Sequence, residues 1–135
     1  MKVAITTLTS LLLAAALLAV TLGAAAHHTF IAQYDPDRPV TLSGVVTNVE
    51  WTNPHARFYL DVTDEAGEVT NWNLELASPN VLRRYGWTGK SLQTGDHVTV
   101  DGTLARNGSK MVNALTITLA DGRKVFARES APVLE

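Results

Sequence analysis

An all-β domain with one short helix is predicted by three observations. From residue 40 to residue 119 apolar side chains recur in short runs with period two, the spacing of half-buried strands. Turn residues punctuate those runs at Asn53-Pro54, Gly67, Asn107-Gly108 and Asp121-Gly122. Only the stretch after Ser78-Pro79 changes to helical spacing, and Gly86 closes it.

The elements follow in order. Residues 27–39 read as an extended arm, because Asp35-Pro36-Asp37-Arg38-Pro39 is too rich in proline for a central strand or a helix. Phe30 and Tyr34 are expected to pin this arm to the domain surface. The first strand carries Val40, Leu42, Gly44 and Val46 on one face, then shifts phase to Val49 and Trp51. One extra residue flips the faces of a strand, so the shift predicts a β-bulge, and Gly44 permits a sharp bend. The second strand spans residues 56–63, with Phe58, Leu60 and Val62 inward. A hairpin loop ending at Gly67 leads to the third, residues 68–76, with Trp72, Leu74 and Leu76 inward.

Ser78 is a good N-cap and Pro79 suits the first helical position. Val81, Leu82 and Tyr85 should form the apolar face of that helix. The fourth strand opens at Asp96 and turns Val98, Val100 and Leu104 inward, with a bend at Gly102. The fifth spans residues 111–119 with Leu115, Ile117 and Leu119 in phase, and a short sixth, residues 123–127, folds back after Asp121-Gly122. Three strands, a helix, two strands and a short return match an OB-fold-like five- to six-stranded antiparallel Greek-key barrel. The barrel is assigned to residues 40–128, and residues 129–135 to a frayed tail.

A cleaved signal peptide is expected ahead of this domain, over residues 1–26. Lys2 is followed by an uncharged run to Ala26, almost pure Leu and Ala between Leu11 and Val20, and Ala24-Ala25-Ala26 supplies the small residues of a cleavage site. Export would place the domain in the periplasm or outside a bacterial cell. Without residues 1–26, ten basic side chains face thirteen acidic ones, a net charge near −3 with His neutral. That balance lacks the positive field that attracts nucleic acid or an anionic membrane surface. The chain has no cysteine, which excludes disulfides, thiolate metal sites and Cys nucleophiles.

Several stretches carry a family resemblance. They are Ala26-His27-His28-Thr29-Phe30, Val40-Thr41-Leu42-Ser43-Gly44-Val45-Val46 and Glu50-Trp51-Thr52-Asn53-Pro54-His55, then Asn71-Trp72, Ser78-Pro79-Asn80 and Arg84-Tyr85-Gly86-Trp87-Thr88, with Gly95-Asp96 and Asp121-Gly122-Arg123-Lys124 beyond. In these the chain resembles the small exported bacterial proteins grouped as domain of unknown function 6152. The resemblance covers nearly all of residues 27–135. It implies an exported, OB-like domain and brings no catalytic residue with it.

Two groups of residues carry possible chemistry. The first is histidine. A cut after Ala26 makes His27 the mature terminus, where its amine and imidazole could grip one copper ion, completed by a ring from His55 or His97. His28, adjacent in the chain, is the weaker partner. A cut after Ala25 or Ala24 instead places a histidine third, where the amine, two backbone amides and the imidazole make a square-planar set suited to Cu(II). The metal candidates are therefore His27, His28 and His55.

The second group is the outer face of the second and third strands, the usual OB binding surface. It carries Arg57, Tyr59, Asp61, Asn71, Asn73 and Glu75, which can hydrogen-bond a polar ligand or pair among themselves. Trp87, just after the helix, is expected to be partly exposed and to offer a stacking surface, whereas Trp51 and Trp72 point inward. His97 is expected outward without a role. Ser78, Ser91 and Ser109 sit in cap or turn contexts with no nucleophile elbow, and Asp35 and Asp37 have no matching base. The expected function is a non-catalytic exported module that binds a partner protein or small ligand through Arg57, Tyr59, Asn71, Asn73 and Trp87. The alternative is a copper-binding protein, with a copper-dependent oxidative enzyme as its furthest extension.

Overall fold

The computed structural model describes residues 32–127. The expected signal peptide over residues 1–26, together with His27, His28, Phe30 and the expected tail from residue 129, lies outside the described residues. From Tyr34 onward the described elements are, in chain order, β1 (Tyr34–Glu50), β2 (Arg57–Thr63), β3 (Val69–Glu75), α1 (Pro79–Arg84), β4 (His97–Ala105), β5 (Met111–Leu119) and β6 (Lys124–Phe126). The sheet order is β3-β2-β1-β4-β5-β6, and β3 also pairs with β5. Each of the five longer strands thus has hydrogen-bonded neighbours on two sides. All pairings are antiparallel except β3–β5.

Strand β1 serves two partners. Tyr34 to Val45 pairs with β4, and Val45 to Glu50 pairs with β2. Val45 faces both Asp61 and His97. The predicted bulge is present, since the register skips Thr47 between Val46 and Asn48. Gly44 is required by close approach: a Cβ there would lie 2.1 Å from the backbone oxygen of Asp61.

The strand begins earlier than the sequence suggests. The arm assigned to residues 27–39 ends at Tyr34, where both β1 and a compact unit of the chain begin. The ladder runs from Tyr34↔Ala105 directly to Pro39↔Thr103, so residues 35–38 stand out opposite Leu104 alone. Proline cannot donate to a ladder. Looping out Pro36 and its neighbours keeps the strand while removing that demand.

The apolar faces meet in one core that includes Leu42, Val46, Phe58, Leu60, Leu74 and Ile117. Two expected phases are corrected. Asp101 pairs with Thr116 but Gly102 with Ala114, so Leu115 is the extra residue of a bulge, partly exposed rather than in phase with Ile117. Its carbonyl accepts the Ala127 amide instead. In α1 the Ser78 hydroxyl accepts the Val81 amide at 3.3 Å, as an N-cap should. Leu82 is fully buried, but Tyr85 is exposed and leaves the expected apolar face.

Trp87 is a third correction. It is only 4% exposed and belongs to the core, not to a surface. Gly86 takes φ +83°, and the Trp87 amide then donates to the Leu82 carbonyl. The reversal turns the indole inward, where it stacks on Trp51 with centroids 6.5 Å apart. Trp72 packs against the core, as its inward phase predicts, while remaining partly exposed and lying under the Lys110 ammonium at 5.0 Å.

Candidate functional site

The β2–β3 register places Arg57 opposite Glu75, Tyr59 opposite Asn73 and Asp61 opposite Asn71. Directly paired residues share a face, so these six side chains form one surface, as the alternation predicts. Apolar Phe58, Leu60 and Leu74 occupy the other side and are buried.

Glu75 departs from expectation. It sits on the outer face yet is only 5% exposed. Three donors converge on its carboxylate. Arg57 donates from one guanidinium nitrogen at 2.5 Å. His55 approaches through Nδ1 at 2.9 Å. The Tyr34 phenol hydrogen-bonds the same group. A buried carboxylate is costly unless paired and hydrogen-bonded, and this one is both.

The remaining polar groups of the face are tied to one another. Arg57 also donates to Asn73 Oδ1 at 3.3 Å. Asn71 Nδ2 donates to Asp61 at 2.7 Å and to Thr47 at 3.1 Å. Tyr59 hydrogen-bonds Glu50; desolvation, then that carboxylate, raises its phenol above the ordinary value. Arg57, Tyr59, Asn71 and Asn73 therefore come together, whereas Trp87 lies in the core away from this face.

Pattern reading missed two residues. Asn113 faces Glu75 across β3–β5 and Thr103 across β4–β5. Both are buried, each 6% exposed. Asn113 Oδ1 has no hydrogen-bond partner. The available signal was a lone amide inside the apolar run Met111-Val112-Asn113-Ala114-Leu115. Glu50, Arg57, Glu75, Asn113 and Thr103 thus form one polar row across five strands.

Tyr34 closes the row from the far end of β1. Expected to pin the arm to the domain surface, it is 1% exposed there. Burial, then the Glu75 charge, pushes its phenol well above the ordinary range, against a smaller lowering by Arg57. The folded state therefore favours the neutral phenol. Its contribution is complete below the unfolded value of about pH 10 and is lost as pH rises through the higher folded value. Stability should fall above about pH 10. Tyr34→Phe should flatten that fall, as denaturant midpoints measured across alkaline pH would show.

His55 is the one metal candidate among the described residues. Its side chain is 49% exposed, and Glu75 holds Nδ1. A carboxylate on one ring nitrogen fixes the ring and leaves the other, Nε2, as the nitrogen open to a ligand. Among the described residues, no three His, Asp or Glu side chains converge on a metal position. His97 is exposed, as expected, beside a groove of about 410 Å³ that Lys90, Asp96, Asp121 and Arg123 also line. Asp96 there accepts the Gln93 amide, and Arg123 is paired with Asp121, whose carboxyl that hydrogen bond holds below its usual range. The groove shares no residue with the Glu75 cluster. Among the described residues, no helix is long and apolar enough to cross a membrane.

Comparison with curated proteins found no match to the chain. A family model matches residues 15–114, a span that takes in Tyr34, His55, Arg57, Glu75, Thr103 and Asn113. The chain with its Glu75 cluster therefore belongs to the family of unknown function DUF6152.

Proposed function

We propose that the protein is an exported, non-catalytic binding module that takes a partner protein or small ligand on the outer face of β2 and β3. The strand circuit, with β3 paired to β5 and a helix between β3 and β4, supports reading the sheet as a closed OB-type barrel. In such barrels this face is the ligand surface. The observation that carries the proposal is Glu75. A buried carboxylate fixes Arg57, His55 and Tyr34 in place, so the face is ordered before anything binds. Preorganised side chains reduce the entropy lost on association. The uncharged run ahead of Ala26 supports export to the periplasm.

The test is a photo-crosslinking residue placed at Asn71, and in a control at Thr41, which hydrogen-bonds Asp101 on the outside of β1–β4. In cells that export the protein, adducts should form from position 71 and not from 41. Equal labelling, or labelling from 41 alone, would remove the assignment to β2–β3.

A second reading is copper held by the mature amino terminus together with His55. The Glu75–His55 hydrogen bond favours it, because it occupies Nδ1 and leaves Nε2 as the nitrogen open to a metal on a half-exposed ring. His27 and His28 would supply the remaining nitrogens, a ligand set that rests on the sequence alone. Native mass spectrometry of the processed protein with one equivalent of Cu(II) reports the cut site and the bound metal together; loss of copper in His55→Ala is the expected result.

A further inference from the structure

We infer that two copies of this chain pair edge to edge through the amino-terminal half of β3, an inference that goes beyond the binding-module reading and does not rest on it. Val69, Thr70, Asn71 and Trp72 pair with β2, and β5 joins β3 only from Asn73 onward. Among the described residues, half of the strand is therefore a free edge. The Asn73 amide donates to the Lys110 carbonyl, so Asn73 turns its backbone groups toward β5. Those groups alternate in direction along a strand. Asn71 and Val69 thus direct N–H and C=O the same way as Asn73, but short of the point where β5 begins, while Thr70 and Trp72 bond β2. Two donors and two acceptors are left on that edge.

A row of backbone groups is complementary to another strand rather than to a small ligand. Proteins guard free edges with lysine, proline or an inward charge, and Val69-Thr70-Asn71-Trp72 holds none of these. The short strand β6 does begin with a lysine, Lys124. Val69 is 59% exposed, one of two large apolar side chains left so open among the described residues.

The edge is complementary to itself. Antiparallel pairing of Val69 with Asn71 of the second copy, and of Asn71 with its Val69, uses all four backbone groups. The two-fold axis then passes through Thr70, which meets its own copy in a favourable cross-strand pair. The same register sets Glu68 opposite Trp72 of the second copy. Lys110 holds its ammonium 5.0 Å from the centre of that ring. Among the described residues, neither Glu68 nor Lys110 has an ion pair within the chain. Two symmetric Glu68–Lys110 contacts therefore add charge complementarity at both ends of the seam. A two-fold contact of this kind closes the edge instead of propagating it. The added strand lies in the plane of the sheet, so the outer face of β2 and β3 stays open.

Sedimentation velocity over a dilution series, on protein purified from cells that export it, tests the pairing. The chain should pass from monomer to dimer as concentration rises, with the weak affinity of a small contact. Val69→Pro removes an outward N–H that β2 does not use. It should weaken the dimer about thirtyfold, one hydrogen bond lost in each copy, while dilute samples melt near the parent temperature. Glu68→Lys should weaken it about tenfold, since two contacts become repulsive. Adding Lys110→Glu to Glu68→Lys should bring affinity back to within about threefold of the parent. The charge swap decides by itself should Val69→Pro not fold. A chain that stays monomeric up to about 1 mM, a dimer as tight in Val69→Pro as in the parent, or a charge swap that restores nothing would each overturn the inference.

Discussion

Truncating Trp87 to alanine is expected to destabilise the protein by about 4 kcal/mol, a loss typical of a buried Trp that leaves a cavity behind. For a domain of this size that corresponds to a melting temperature lower by roughly 20 °C. The indole is 4% exposed, stacks on Trp51 and belongs to the same core as Leu82. Its removal strips contacts from Trp51 and the helix together. Tyr85, two residues earlier and exposed, is the internal control. Tyr85→Ala should stay within about 0.5 kcal/mol of the parent. Denaturant melts of both variants check the pair, and similar losses from the two would mean that Trp87 does not fill the core.

Glu75→Ala should cost roughly 3 kcal/mol, because removing one member of a buried ion pair strands the other. Arg57 would lose its anion, and the Tyr34 phenol and His55 ring would lose their acceptor. Replacing the pair together, Arg57→Met with Glu75→Leu, should recover much of that stability, since apolar substitutes for a buried ion pair are often neutral or better. The double variant should fold well and crosslink poorly from position 71. Equal losses in Glu75→Ala and the double variant would show that the two charges are not coupled.

Features governed by neighbouring residues were readable in the sequence. The shift from Val46 to Val49 announced the bulge at Thr47, and Ser78-Pro79 announced the cap of α1. Alternation placed Arg57, Tyr59, Asn71 and Asn73 on one face, where the register puts them. Features set by a distant strand were not readable. Leu115, Ile117 and Leu119 keep a period of two, but the bulge at Leu115 is imposed opposite Gly102, where a Cβ would meet Val112 at 2.4 Å. Glu75 reads as a solvated strand residue until Tyr34, from the far end of β1, closes on it. Trp87 follows a helix end whose reversal at Gly86 decides whether the ring points in or out.

The parallel contact between β3 and β5 has a dynamic consequence. It rests on three residue pairs, Asn73↔Met111, Leu74↔Val112 and Glu75↔Asn113, whereas β2 and β3 share seven. Local opening follows the path that breaks the fewest contacts. Among the pairings of the five longer strands, the short seam is therefore where the sheet breathes first, by transient separation rather than by unfolding. Glu75 and Asn113 face each other across that seam, so the breathing that opens it also opens a path from solvent to the buried amide.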